Sequence, residues 1–357
     1  MNRETKIIGT YESIVPGGPA MPKFDTPITP KENFKRYVSK DKKAVWDPNE
    51  TDLVSILPRI IPDHVARGLV DDPEPFNPAE EGGGYDLFGV HWTFVPQVGG
   101  SMETPGEHLI PDIMEWEKYV KMPDLDALDW KGGAKKLQPL INDDRATYTM
   151  LYTGFFERLI SFMGFEGAAM ALIDEEQQEA VHRLFDKLCT VYDGYLMRMK
   201  KYFNIDMVSF HDDWGSQRAP FFSLDTCMEM LVPYVKRVCE SAHKYGIIFE
   251  LHSCGKNDML IDAILATGAD LWSGQNLNDW EALAPKCEGK MIFHIGWNKF
   301  DPKTMTKEWY LEDALKGYEK FKDYHCAWII PSRRYLPGIS DEFYIETYRR
   351  SFNPDAL

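Results

Sequence analysis

Short apolar runs recur along this chain, most of them followed by a segment with helical period. That alternation constrains the fold more than any other feature. The runs are LVSIL (53–57), DLFGVHW (86–92), TMLYTG (149–154), DMVSFHD (206–212), IIFELHS (247–253), DLWSGQ (270–275), MIFHIG (291–296) and AWIIPS (327–332). Between them, Val181, Leu184, Phe185, Leu188, Val191, Tyr195 and Met199 fall on one face of a helix, and Asp174 with Gln177 is placed to cap its start. A second helix is expected from Asp225 to Tyr245, kinked at Pro233 and stopped by Gly246. A third runs from about Asp258 to Gly268. Strand, helix, strand, repeated, means parallel strands joined by crossover helices. Eight such strands predict an α/β fold, a (β/α)8 TIM barrel. A doubly wound sheet is the runner-up, but no GxGxxG follows any early strand.

The N-terminal stretch reads differently. Residues 10–30 are rich in Pro and Gly and read as an extended arm, and Thr29 and Glu32 have capping-box spacing for a short helix. The expected division is an arm with its short helix over 1–45 and a barrel over 46–357. An arm of this kind can wrap a neighbour, so a homodimer is a reasonable expectation.

Charge and cysteine usage narrow the function. Among 357 residues, 40 Lys and Arg face 56 Asp and Glu, a net charge of −16 that offers no footprint for nucleic acid or an anionic membrane. The six cysteines, at 189, 227, 239, 254, 287 and 326, form no CxxC pair, which argues against a zinc ribbon or a disulfide scaffold. The first residues contain no apolar h-region, and a cytoplasmic, reduced protein is expected.

In a barrel the active site sits at the C-terminal strand ends. Those ends carry His91 and Trp92, Phe155 and Phe156, then His211, Asp212, Asp213 and Trp214. His252 and Cys254 follow, then Gln275 and Asn276, Trp297 and Asn298, and Ser332, Arg333 and Arg334. HSCG (252–255) is the sharpest local signal, because residues i and i+2 of a strand share a face. His252 and Cys254 thus supply half of a tetrahedral zinc site. The alternative is that Cys254 packs as a small apolar residue while His252 binds substrate. In HDDWG (211–215), Asp212, Asp213 or His211 could serve as general acid or base, or the acids could cap a helix or brace a loop. Arg333 and Arg334 could bind a carboxylate, or simply be surface residues. The aromatic side chains suit an apolar, aromatic substrate.

The run DMVSFHDDWGSQRAPFFSLDTCMEMLVPYVKRV, then IIFELHSCGKNDMLIDAILATGADLWSGQNL, then FHIGWNKFDP, resembles the uroporphyrinogen decarboxylase superfamily, with TPKENFKRYV and GGYDLFGVHW fitting as well. The resemblance covers most of residues 28–350 and implies a (β/α)8 barrel. The RQAGR-type motif of the true decarboxylases is absent; the corresponding region reads LVSILPRIIPDHVARG. The resemblance therefore leans to the cobalamin-dependent methyltransferases of anaerobes. In those acting on coenzyme M, an HxC pair and a later Cys hold zinc. His252 and Cys254 match the pair, but Arg333 stands where the later Cys would be, and Cys326 is the remaining third candidate. That departure points toward relatives that demethylate substrates such as methoxylated aromatics. The implied activity moves a methyl group between a small methylated substrate and cobalamin carried by a partner corrinoid protein. The implied catalytic residues are Asp213, His211 and Asp212. Substrate contacts fall to His91, Trp92, Phe155, Trp214, Gln275, Asn276, Trp297 and Arg333. The alternative is a cofactor-free decarboxylase that binds a smaller carboxylate through the arginines.

Overall fold

Seven strands form one parallel sheet in a computed structural model that describes residues 3–11, 21–39, 44–55, 83–97, 100–138, 144–296, 300–329 and 336–357. The chain opens with β1 (Ile7–Tyr11) and β2 (Met21–Phe24), an antiparallel hairpin, and α1 (Pro30–Val38). Next come β3 (Leu53–Ser55), β4 (Gly84–Tyr85), β5 (His91–Val95), β6 (Gly100–Glu103) and α2 (Trp130–Lys136). The repeating part is β7 (Ala146–Leu151), α3 (Phe155–Ile173), α4 (Glu175–Arg198), β8 (Met207–His211), α5 (Leu224–Met230), α6 (Val232–Lys244), β9 (Ile248–Ser253) and α7 (Ile261–Ala266). It ends with β10 (Leu271–Gly274), α8 (Trp280–Cys287), β11 (Ile292–Gly296), α9 (Lys307–Phe321), β12 (Cys326–Ile329) and α10 (Pro337–Ser351). The sheet order β12-β11-β10-β9-β8-β7-β3 follows the chain, as successive crossovers in a barrel do.

The closed eight-stranded barrel is corrected in one respect. Among the described residues the sheet has seven strands, and its outer strands β3 and β12 are not paired with each other. The run at 86–92 is not one of them. Asp86 Oδ1 accepts from the amides of Phe88 and Val90, and Gly89 takes φ +85°, so a tight turn interrupts the run. The chain resumes as β5, which pairs antiparallel with β4 and β6 in a separate three-stranded sheet. The fold is TIM-barrel-like and mixed α/β.

The helix expectations hold locally. Asp174 caps α4, its carboxylate accepting from the Glu176 amide and the Gln177 side chain. Pro233 lies in the first turn of α6, so the expected kink is a break between α5 and α6. Thr29 Oγ1 accepts from the Glu32 amide at the start of α1. That helix lays Phe34 and Tyr37 against Ala146, Met207, Leu271 and Ile292, which plugs the N-terminal end of the sheet. Below it, buried Asp206 pairs with Lys31 and Lys35 at 3.1 and 2.6 Å. No helix among the described residues is long and apolar enough to cross a membrane.

Candidate functional site

With one end plugged, the open end is where the strands finish. There, His211 closes β8 opposite His252 of β9, because the two parallel strands pair residue for residue. Their rings stack with centroids 4.5 Å apart. Alternation puts Asp213 on the side of His211 and Cys254 on the side of His252. The donor atoms of His211, Asp213, His252 and Cys254 all lie within 4.8 Å of one another. His252 Nε2 is 3.3 Å from Cys254 Sγ, and Asp213 Oδ1 accepts from the Cys254 amide at 2.7 Å.

Both imidazoles are held at Nδ1. Glu157, in the first turn of α3, lies with Oε2 2.9 Å from His211 Nδ1. Ser273, on β10, lies with Oγ 3.1 Å from His252 Nδ1. Burial works against charge on His211, but Glu157, through its hydrogen bond and its charge, and then Asp213 and Asp212, outweigh it and push the imidazole up to about 9. Burial and the neighbouring His211 push His252 the other way, well below the ordinary histidine range. Burial, with Asp213 alongside, pushes the Cys254 thiol up.

The loops after β8, β9 and β10 lock this arrangement. Gly255 takes φ +94°, and a Cβ there would meet the Gly215 backbone at 2.1 Å, so two loops touch main chain to main chain. Gln275 Oε1 accepts from the Gly255 amide, and Asn257 Nδ2 donates to Ser253 Oγ and the Cys254 carbonyl. Asn278 Oδ1 accepts from the Asn257 amide.

Asp212 is elsewhere. Fully buried, it accepts from the amides of Phe155 and Phe156 through Oδ2 and of Glu157 through Oδ1, and from Trp214 Nε1. It closes the N-terminus of α3, where Gly154 offers no side chain. Burial, with Glu157 nearby, pushes its carboxyl up to about 7 while those donors pull it back. Asp212, expected as a candidate acid or base beside Asp213, thus has both oxygens engaged by the helix end and the indole.

Other predicted residues also lie apart from the cluster. Phe155 is in the core against Phe185, Tyr192, Phe210 and Tyr234, and Trp214 is fully buried. Trp92 is buried with Nε1 on Asp86, and His91 faces Glu107 and Tyr85 on the antiparallel sheet. Gln275 backs the Cys254 loop, and Asn276 is exposed. Cys326 pairs in register with Phe293, one position short of His294, which shares the inward register of Ser273 and His252. Its position is on the opposite face of the sheet. Trp297, Asn298, Ser332, Arg333 and Arg334 lie outside the described residues.

Sequence reasoning missed Glu157, Ser273 and a polar layer deeper in the sheet. There Ser209 donates to Glu250 Oε1 at 2.6 Å, and His294 Nδ1 lies 3.1 Å from Glu250 Oε2. The signal was present: Ser209, Glu250, Ser273 and His294 each interrupt an apolar strand on its inward register, where barrels normally place branched apolar residues.

No family model matches the chain, and no curated protein matches it in sequence. Among solved structures it is similar to a methyltransferase from Methanosarcina mazei, with a TM-score of 0.60 and 13% identity over 89% of this chain and 99% of that one. The shared property is the fold. A xylanase from Gloeophyllum trabeum aligns at a TM-score of 0.40 and 12% identity, over 63% of this chain and 82% of its own. An Old Yellow Enzyme from Pichia sp. AKU4542 aligns at 0.38 and 11%, over 64% and 69%.

Proposed function

We propose that this chain is a methyltransferase that moves a methyl group between a small methoxylated aromatic and the cobalt of a corrinoid carried by a separate protein. The observation that carries the reading is the convergence of His211, Asp213, His252 and Cys254 at the strand ends. It stands on a fold shared along 89% of the chain with a methyltransferase.

A zinc ion, one of the two readings of the HxC pair, fits these residues. Catalytic zinc sites use three protein ligands from N, S and O donors and keep one position open. His252 through Nε2, Cys254 through its thiolate and Asp213 through its carboxylate would supply three, with Asp213 as third donor in place of the candidate Cys326. When bound, such an ion supplies Lewis acidity beside the leaving oxygen.

The remaining chemistry belongs to side chains. As the methyl carbon–oxygen bond breaks, the methyl passes to the corrinoid cobalt as co-substrate, and the oxygen keeps the electron pair. His211, whose Nδ1 is held by Glu157 and whose protonated form that carboxylate favours, donates its Nε2 proton to that oxygen. The zipped loops keep donor and acceptor in place.

The test is anaerobic: the zinc-loaded protein is mixed with cob(I)alamin and pooled methoxylated aromatics, and methylcob(III)alamin is followed by absorbance. Turnover that is lost in His211→Phe and Asp213→Ala supports the reading. No turnover with free cobalamin or with a native corrinoid protein defeats it.

A further inference from the structure

We propose that Ser273 is a positioning residue for His252: its hydroxyl oxygen accepts a hydrogen bond from Nδ1–H and so holds Nε2 toward Cys254. The proposal rests on the metal reading above for its consequence, but its geometry stands alone. Ser273 and His252 are direct partners on adjacent parallel strands, both on the inward register. Ser273 is buried, and its Oγ lies 3.1 Å from Nδ1 while Nε2 lies 3.3 Å from Cys254 Sγ.

Without an anchor at Nδ1, the imidazole has two ring orientations and two neutral tautomers to choose from. Stacking on His211 fixes the plane of the ring and leaves its flip open. The hydroxyl fixes the ring orientation, and with the Cys254 S–H as donor to Nε2 at 3.3 Å the tautomer that satisfies both contacts carries its proton on Nδ1 and donates it to Ser273 Oγ. A serine also has no packing reason to occupy this place. Inward positions of barrel strands take branched apolar residues, and a hydroxyl left unpaired there is costly. His294, its register partner on β11, has its Nδ1 3.1 Å from Glu250 Oε2, so that ring is turned toward a carboxylate on β9.

The test uses the full chain with ring-labelled histidine. In metal-free wild-type protein, long-range nitrogen–proton correlations should show His252 protonated at Nδ1. In Ser273→Ala the signal should shift to a mixture or to the Nε2 tautomer, and Ser273→Thr, which keeps the oxygen, should restore it. Zinc affinity, measured by chelator competition, should fall about 10- to 100-fold in Ser273→Ala and stay within about threefold in Ser273→Thr. Cobalt-substituted protein should show altered d–d bands in Ser273→Ala only. A wild-type His252 protonated at Nε2, or a Ser273→Ala protein with unchanged tautomer, overturns the positioning role whatever the metal does. A wild-type chain with the Nδ1 tautomer and no zinc affinity removes the metal reading and leaves the hydroxyl's role in orienting the ring standing.

Discussion

Asp212→Ala should cost several times more stability than Asp213→Ala, although the acids are adjacent. Truncating Asp212 strips the acceptor from three amides at the start of α3 and from the Trp214 indole, at bonds of 2.9 to 3.2 Å. A buried donor left without a partner costs about 1–3 kcal/mol, and a lost helix cap alone about 1 kcal/mol. The four donors share one carboxylate and their losses overlap, so the expected total is on the order of 4 kcal/mol. That is a large share of the roughly 5–15 kcal/mol that separates folded from unfolded chains. Asp213 holds one amide bond in a half-buried loop, and its loss should cost about 1 kcal/mol. Equilibrium urea unfolding followed by far-ultraviolet circular dichroism gives the comparison, provided the slope with denaturant is the same in both variants. An Asp212→Ala protein within about 0.5 kcal/mol of wild type that has nonetheless lost methyl transfer would refute the capping role and restore Asp212 as a catalytic group.

Gly255→Ala should destabilise by about 3 kcal/mol and abolish zinc binding, because its Cβ would sit 2.1 Å from the Gly215 carbonyl oxygen at φ +94°; unchanged urea unfolding would contradict the loop contact. Zinc affinity should rise about tenfold per pH unit between roughly pH 6 and 8, since the Cys254 thiol is held protonated and must release one proton while His252 is already neutral; a flat profile in calorimetry would count against thiolate ligation. For Asp206, burial alone would raise the carboxyl, but Lys35, the Thr147 amide and Lys31 outweigh it and hold it below its ordinary value. Its stabilisation is therefore present above the unfolded value and lost as pH falls through the folded one, so Lys35→Met should move acid unfolding to higher pH, and an unmoved acid transition would speak against the ion pair.

The strand-by-strand architecture was legible wherever apolar runs met crossover helices, and it failed where a turn hid inside a run. Asp86 and Gly89 are that turn, and their spacing within DLFG was visible. The choice between Asp212 and Asp213 was also legible, although it was left open. The alternation that joins His252 to Cys254 joins His211 to Asp213 and sends Asp212 to the other side. Glu157 was not legible, since it reaches His211 from the helix after a different strand and only tertiary packing brings them together. The aromatic residues misled for a related reason. Phe155 follows a strand but already belongs to α3, whose first turn faces the helical layer.

The cluster can be traced to one register. Parallel pairing places His211 beside His252, and each is followed two residues later by a second donor, Asp213 or Cys254. A slip of β8 by one residue against β9 would turn the Asp212 position inward and send His211 to the outer face, leaving His252 without its partner. The register is held from both ends. Below, Asp206 accepts from the Thr147 amide while its own carbonyl accepts from Ile248. Above, Asp212 fixes α3 against the end of β8, and its amide donates to the His252 carbonyl. Asp212 therefore contributes to the chemistry by fixing where its two neighbours point, which is why its loss should be read first in stability.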